Sequence, residues 1–369
     1  MGRTAVGGLF RILLIAATCL VAAVTVCGAF AGHYAPAESR WMPLLGMAVP
    51  TLLAVNLLVA LCWAWARQRW VWIPLLALLA NWNYLSAVLQ VGWPDRLPAE
   101  VTASRPHPMG YLTVATYNVQ HFGSEITGYS CRELARYMEQ ERVDILCFQE
   151  FGDNPSFTLD SLKHTLRHWP HAFIMDADSI RGVLPLAVFS RFPLTHTEFI
   201  TYTGSANCSM QCDLILEEDT VRLLNNHLQT TNVGQKRRKW KRAMVAAQDM
   251  RHEAEVMQDA AGTLHDNFMK RAMQTDSICR RIADSPYPVV VCGDFNSLPS
   301  SYTYHRLSDL LDDGFRTAGN GYMYTYRYAK RMLRIDYIFH SPALEGVHYY
   351  SPDLELCSDH NPVIFTLKL

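Results

Sequence analysis

The stretch PVVVCGDFNS, residues 288–297, decides how the rest of the chain is read. Its run of valines is what a strand buried on both faces looks like. The run then breaks at Gly293 and delivers Asp294 and Asn296, side chains able to do acid, base or hydrogen-bond chemistry. The same grammar recurs outward from it. YLTVATYN (111–118) closes on Asn118, VDILCFQE (143–150) on Glu150, and VRLLNNHL (221–228) carries His227 near its end. RIDYIF (334–339) contains Asp336, and the terminal run PVIFTLKL (362–369) is preceded by Asp359 and His360. VLPLAVFS (183–190) and MQCDLIL (210–216) read as further strands, the latter pairing with VRLLNNHL across the polar turn EEDT. A helical stretch near residues 132–141 gives a strand, helix, strand order. Open α/β sheets gather their sites at strand ends, where side chains distant in sequence converge. Taken singly, each residue has a plainer reading: an Asn or Asp after a strand forms turns, a terminal Glu is solvated, and a lone His sits at a surface. Their joint order points to a site.

The average composition hides two regimes. The chain has 369 residues, 50% hydrophobic and 18% charged, with a formal net charge of -1. Residues 1–91 hold only Arg3, Arg11, Glu38, Arg40, Arg67 and Arg69; every other charged group lies beyond them. One soluble globule is thereby excluded, and so is a disordered chain. Near-neutrality argues against a generic nucleic-acid coat. Three uncharged stretches, residues 12–32, 44–66 and 71–91, each reach the roughly 20 residues a membrane-crossing helix needs. In the third, Asn81, Asn83 and Gln90 require partners inside a helix bundle. The arginines before the first stretch and those between the second and third place both flanks on the cytoplasmic side, so three spans leave everything after Val91 outside it. An alternative takes the first stretch as a cleavable signal with a processing site around residues 29–31, with the same result downstream.

Residues 92–110, rich in proline, read as a linker between a membrane region (1–91) and a large domain (111–369). Seven of the ten cysteines lie in the large domain. Cys208 and Cys212, the close pair, suggest either a local disulfide or nothing, and a zinc site lacks a second ligand pair. Between His227 and Asp294 lies a segment of helical composition, residues 234–284, broken near Gly262 and opening with KRRKWKR (236–242). That run reads either as an anion contact with Trp240 at its centre or as a solvated helical face. The aromatic run YMYTYRY (322–328) reads as a strand with one packed face.

Taken in order, TYNVQ (116–120), CFQE (147–150), NNHLQ (225–229), GDFNS (293–297), RIDYIF and SDHNP (358–362) resemble the endonuclease/exonuclease/phosphatase superfamily, the DNase I-like fold, over about residues 111–369. With the N-terminal spans, the chain looks like the membrane-anchored bacterial type. The resemblance implies an α/β protein: N-terminal transmembrane helices followed by a DNase I-like two-sheet α/β sandwich with its site at one edge. It also implies a role for each matching residue. Glu150 would anchor Mg²⁺, with Mn²⁺ as a substitute; Asn118 would assist the metal or orient the next carboxylate, and Asp359 would lie close by. Asp294 would orient and deprotonate the attacking water, and Asn296 would donate to a phosphate oxygen. Asp336 would hold the ring of His360, which donates to the phosphoryl oxygen, while His227 would be the general acid at the leaving oxygen. The chemistry suits these residue types, because phosphoester hydrolysis needs a dication, a positioned water and donors for developing charge. Mg²⁺ takes only one or two carboxylates.

Departures narrow the branch. The apurinic-endonuclease branch has an Asp where this chain has Gln120, and the inositol polyphosphate 5-phosphatase branch has a Trp-Cys-Asp-Arg element where this chain has MLRIDYIF. The expected function is a membrane-tethered, metal-dependent hydrolase of a phosphodiester, integral to a bacterial inner or plasma membrane with its catalytic domain extracytoplasmic. A phospholipid or other envelope phosphodiester would already be concentrated at a tethered enzyme. Extracytoplasmic nucleic acid is the alternative substrate, and a non-catalytic membrane module retaining the fold is the third reading.

Overall fold

The computed structural model describes residues 2–92, 110–175, 182–217, 219–231 and 250–369. Nearly all of the expected linker and the whole basic run 236–242 lie outside these residues. The chain divides into two units, Met1–Ala87 with Leu298–His305, and Val88–Ser297 with Arg306–Leu369.

In the first unit the apolar runs form α1 (Gly2–Ala29), α2 (Met42–Trp65) and α3 (Trp72–Ala80), with α4 (Trp82–Val88) following. Two helical segments, Gly8–His33 and Met42–Trp65, are long and apolar enough to cross a membrane. The third stretch does not form the single straight span expected of it, because the chain bends by 67° between α3 and α4. Asn81 sits at that bend and donates to the carbonyls of Thr25, at 2.9 Å, and Ala77, at 3.0 Å. Its amide thus finds the in-bundle partners that an apolar environment demands. Two more buried polar contacts tie α1 to α2: Trp63 Nε1 donates to Thr18 Oγ1 at 3.1 Å and Asn56 Nδ2 to Thr25 Oγ1 at 2.6 Å. The segment Leu298–His305 belongs to this unit, Ser300 donating to the Gly46 carbonyl at 2.7 Å.

The second unit is built on two six-stranded sheets. One has the order β13 (Glu345–Tyr350), β14 (Val363–Lys368), β2 (Tyr111–Asn118), β3 (Ile145–Gln149), β5 (Leu186–Ser190), β4 (His171–Ile174). The other runs β10 (Asp312–Asp313), β12 (Asp336–His340), β9 (Val289–Asp294), β8 (Thr220–His227), β7 (Cys208–Ile215), β6 (Leu194–Thr201). A small pair, β1 (Leu89–Gln90) and β11 (Gly321–Tyr322), stands apart. Each large sheet is antiparallel except for one central parallel pair, β2 with β3 and β8 with β9. A parallel pair needs a crossover. Helix α5 (Tyr129–Gln140) supplies the first and the long α7 (Met250–Ala283) the second, with α6 (Leu159–Thr165) between them in sequence.

Alternation along the strands sorts the core into two layers. Val114, Cys147, Val188, Met210, Leu223, Val290 and Ile338 meet between the sheets. Ala115, Phe148 and Phe189 turn the other way, onto Leu134 and Met138 of α5 and Leu162 of α6. Double-sided burial is why these strands read as continuous apolar runs.

Two local expectations are corrected and one open choice is decided. Helix α7 runs unbroken through Gly262 for 34 residues; a helix-interior glycine costs only about 1 kcal/mol, which the packed remainder of the helix outweighs. Cys208 and Cys212 are both free and buried on β7, and four residues along a strand place them about 13 Å apart, too far to bridge. The run 322–328 contributes only Tyr322 to a strand; the residues after it follow an irregular path toward His360.

Candidate active site

Strand register assembles the site. Asn118 and His227 end β2 and β8, Glu150 follows β3, and Asp294 ends β9. Asn118 pairs in register with Gln149, next to Glu150. Asp294 faces His227 on one side and Asp336, the first residue of β12, on the other. Two parallel pairs therefore bring four carboxyl ends to one level, and antiparallel β12 enters at that level. The loop bearing Asp359 and His360 is fastened there by Ser358, whose hydroxyl donates to the Asn118 carbonyl at 2.5 Å, and by Gln120, whose side chain accepts from the Asp359 N–H at 3.3 Å. At Gly293 the backbone takes φ 133°, and a Cβ there would lie 1.9 Å from the Asn226 carbonyl oxygen. Only glycine permits so close an approach of β8 and β9.

All eight residues singled out from the sequence meet here. Asn118 Nδ2 donates to both Glu150 Oε1, at 3.2 Å, and Asp294 Oδ2, at 3.1 Å. Its carbonyl oxygen accepts from the Gln120 N–H, so the side chain orients two carboxylates. His227 is only 1% exposed; its Nε2 lies 3.5 Å from Asp294 and 3.9 Å from Glu150. Asp294 Oδ1 accepts from the Asn296 N–H at 2.9 Å, while Asn296 Nδ2 donates to the Leu228 carbonyl at 3.0 Å. His360 Nδ1 meets Asp336 Oδ2 at 2.9 Å, and its Nε2 lies 3.7 Å from both Asp294 and Asp359.

Four carboxyl groups crowd this mouth. Burial disfavours a charged imidazole at His360, yet Asp336 and then Asp294 more than offset that and push its pKa up to about 10. Burial raises Asp336, against the pull of His360. It also raises Asp359, to which the charges of Asp294 and Glu150 add. One imidazolium does not balance four carboxyls, and a bound cation would relieve the excess. Asp359 Oδ1 is buried without a hydrogen-bond donor. Partly buried Glu150 offers a second hard oxygen, so the donor set suits Mg²⁺ or Mn²⁺. Asp294, Asp336 and His360 also present ligand atoms within 4.8 Å of one another, but the Asp336 contact already occupies one ring nitrogen.

One contributor at the mouth escaped the sequence reading. Tyr326 places its ring 5.3 Å from that of His360; burial and then the nearby Asp359 push its hydroxyl up to about 12, so it keeps its proton. The run of tyrosines was its signal.

A two-sheet α/β sandwich with this cluster at the paired strand ends is the architecture of phosphoester hydrolases of the DNase I-like fold. The Endonuclease/Exonuclease/phosphatase family model matches residues 115–360, well over half of the chain, and the chain belongs to that family. A second model, a domain of unknown function, matches residues 10–88. No curated protein matches. Among solved structures, a D. rerio TDP2 humanized by 14 mutations is 16% identical with a TM-score of 0.48, the match covering 70% of this chain and 100% of that one. An endonuclease/exonuclease/phosphatase family protein from Leptotrichia buccalis is 17% identical with a TM-score of 0.49, over 70% of this chain and 100% of that one.

Proposed function

We propose that the protein is a membrane-tethered, divalent-metal-dependent phosphodiesterase whose substrate is a phospholipid or another envelope phosphodiester. The observation that carries the reading is the convergence of Glu150, Asp294, Asp359 and the Asp336–His360 pair at one mouth. A Mg²⁺ or Mn²⁺ ion held by Glu150 with Asp359 would supply charge neutralisation at the phosphoryl oxygens. Asp294, fixed by Asn118 and by the Asn296 N–H, takes a proton from the water that attacks in line. Asn296 has a second amide hydrogen beyond the one given to Leu228 and donates it to a phosphate oxygen. His360, charged and steered by Asp336, donates through Nε2 to the phosphoryl oxygen on which negative charge develops. The bond to the leaving oxygen breaks opposite the water, and that oxygen takes its proton from solvent. The burial of His227 behind Asp294 supports an orienting role in preference to that of general acid.

The apolar helices supply the tether. Two crossings return the chain to the side of its N-terminus, and the bent pair α3–α4, read as a third, carries it across. Together with the arginine distribution, this supports an extracytoplasmic catalytic unit in a bacterial inner or plasma membrane. Anchoring favours a lipid substrate, since it raises effective concentration only for molecules in the same bilayer.

The test is a substrate panel on the full chain in lipid nanodiscs, with sphingomyelin, glycerophospholipids, plasmid DNA, RNA and bis(p-nitrophenyl) phosphate. Turnover of a lipid with Mg²⁺, lost on chelation, is expected. Turnover of nucleic acid alone would overturn the lipid assignment, and turnover of none in the presence of bound Mn²⁺ would overturn the enzyme.

A further inference from the structure

Helix α7 turns a polar row toward the site. Asn267, Arg271 and Gln274 recur at the spacing of one helix face, and each is at least nine-tenths buried. A crossover helix ordinarily buries apolar side chains there. Gln274 accepts from the Gln229 N–H at 2.8 Å, and Asn267 donates to the Thr231 carbonyl at 3.1 Å. Both therefore hold the chain just after His227. Arg271 reaches further. One guanidinium nitrogen donates to the Asn296 carbonyl and to Ser297 Oγ, the latter at 3.2 Å, and the other donates to Thr231 Oγ1 at 3.0 Å. Among the described residues no carboxylate lies at ion-pair distance from it, its guanidinium sits 5.6 Å from the Phe268 ring, and Nε is buried without an acceptor.

A buried cation without a counter-ion is costly, so its placement calls for a reason. Burial lowers its pKa to about 10, and Asp294 is the charge that opposes this. The turn it grips places Asn296 at φ 49°, a left-handed conformation that asparagine tolerates better than other non-glycine residues. That turn aims the Asn296 N–H at Asp294 Oδ1.

We propose that Arg271 is a positioning residue, its guanidinium bridging the chain after His227 to the carbonyl of Asn296 and so holding the turn that orients Asp294. Lysine cannot replace it, because an ammonium is a point charge where a planar fork must span two chain segments. The inference rests on the phosphodiesterase reading for its kinetic consequence, but its structural consequence stands alone.

The experiment compares full-length wild type, Arg271→Lys, Arg271→Met and Thr231→Val in nanodiscs with Mg²⁺, using bis(p-nitrophenyl) phosphate and hydrogen–deuterium exchange over residues 294–299. Displacement of a catalytic group by about 1 Å can cost about a hundredfold. Both Arg271 variants should therefore lose about tenfold to a hundredfold in kcat, with KM within about twofold, and exchange at 294–299 should quicken while the sheet cores keep their protection. Thr231→Val should show a smaller change of the same kind. A folded Arg271→Lys with wild-type kcat and wild-type exchange would overturn the proposal. If both Arg271 variants fail to fold, Thr231→Val decides: unchanged kcat and exchange overturn it, and faster exchange at 294–299 supports it. Inactive wild type would count against the phosphodiesterase reading, while the exchange arm would still decide the role of Arg271.

Discussion

His360 keeps its proton in a pocket that should strip it, because Asp336 and Asp294 outweigh burial. The sign of the consequence is fixed. Its folded value, about 10, lies above the ordinary 6.5, so the charged ring stabilises the fold fully below about pH 6.5 and loses that contribution as pH rises through about 10. The thermal midpoint of cation-free protein should fall between pH 6.5 and 10, and fall less in His360→Asn; parallel curves would contradict the pairing. Gly293 makes a second residue-scale case. With its Cβ position 1.9 Å from the Asn226 carbonyl oxygen, Gly293→Ala must push β8 and β9 apart and should lose about 1–3 kcal/mol in denaturant titration. The site residues were legible because each lies at or just beside the end of an apolar strand, in a short polar string. Tyr326 and Arg271 were not, because an irregular loop and a helix carry no strand-end signal and their roles are set by distant partners.

At the level of elements, the runs ending in Asn118, Glu150, His227 and Asp294 read as strands, but their pairing as two parallel pairs came only with the structure. Strands β4, β6 and β13 were missed. They lie at the sheet margins, and their mixed polar sequences, such as LTHTEFIT, are only partly buried. In the third apolar stretch the bend at Asn81 was not legible, because it depends on an acceptor in α1. That bend bears on which side the catalytic unit occupies. If α3 and α4 together make a crossing, Ser156→Cys in the catalytic unit and Arg67→Cys in the second loop should react with an impermeant maleimide from opposite faces of sealed vesicles, in a chain otherwise without cysteine. Labelling from one face would mean that the pair does not cross.

For the whole molecule, the net charge of -1 averages an apolar unit with one that gathers four of its acids around a single mouth. Four carboxyls gathered beside one imidazolium would repel a phosphodiester unless a cation intervened, so the proposed activity is metal-dependent. General acid–base groups contribute about 10²–10⁴ in rate, and Asp294 lies within reach of Asn118, His227, Asn296 and His360. The most direct measurement is the initial rate of bis(p-nitrophenyl) phosphate hydrolysis by the full chain with Mg²⁺, beside Asp294→Asn and beside chelated wild type. Wild type should turn the ester over, with both controls at least about a hundredfold slower. An Asp294→Asn protein as fast as wild type, or a wild-type rate indifferent to chelation, would show that these residues do not form a metal-dependent hydrolytic site.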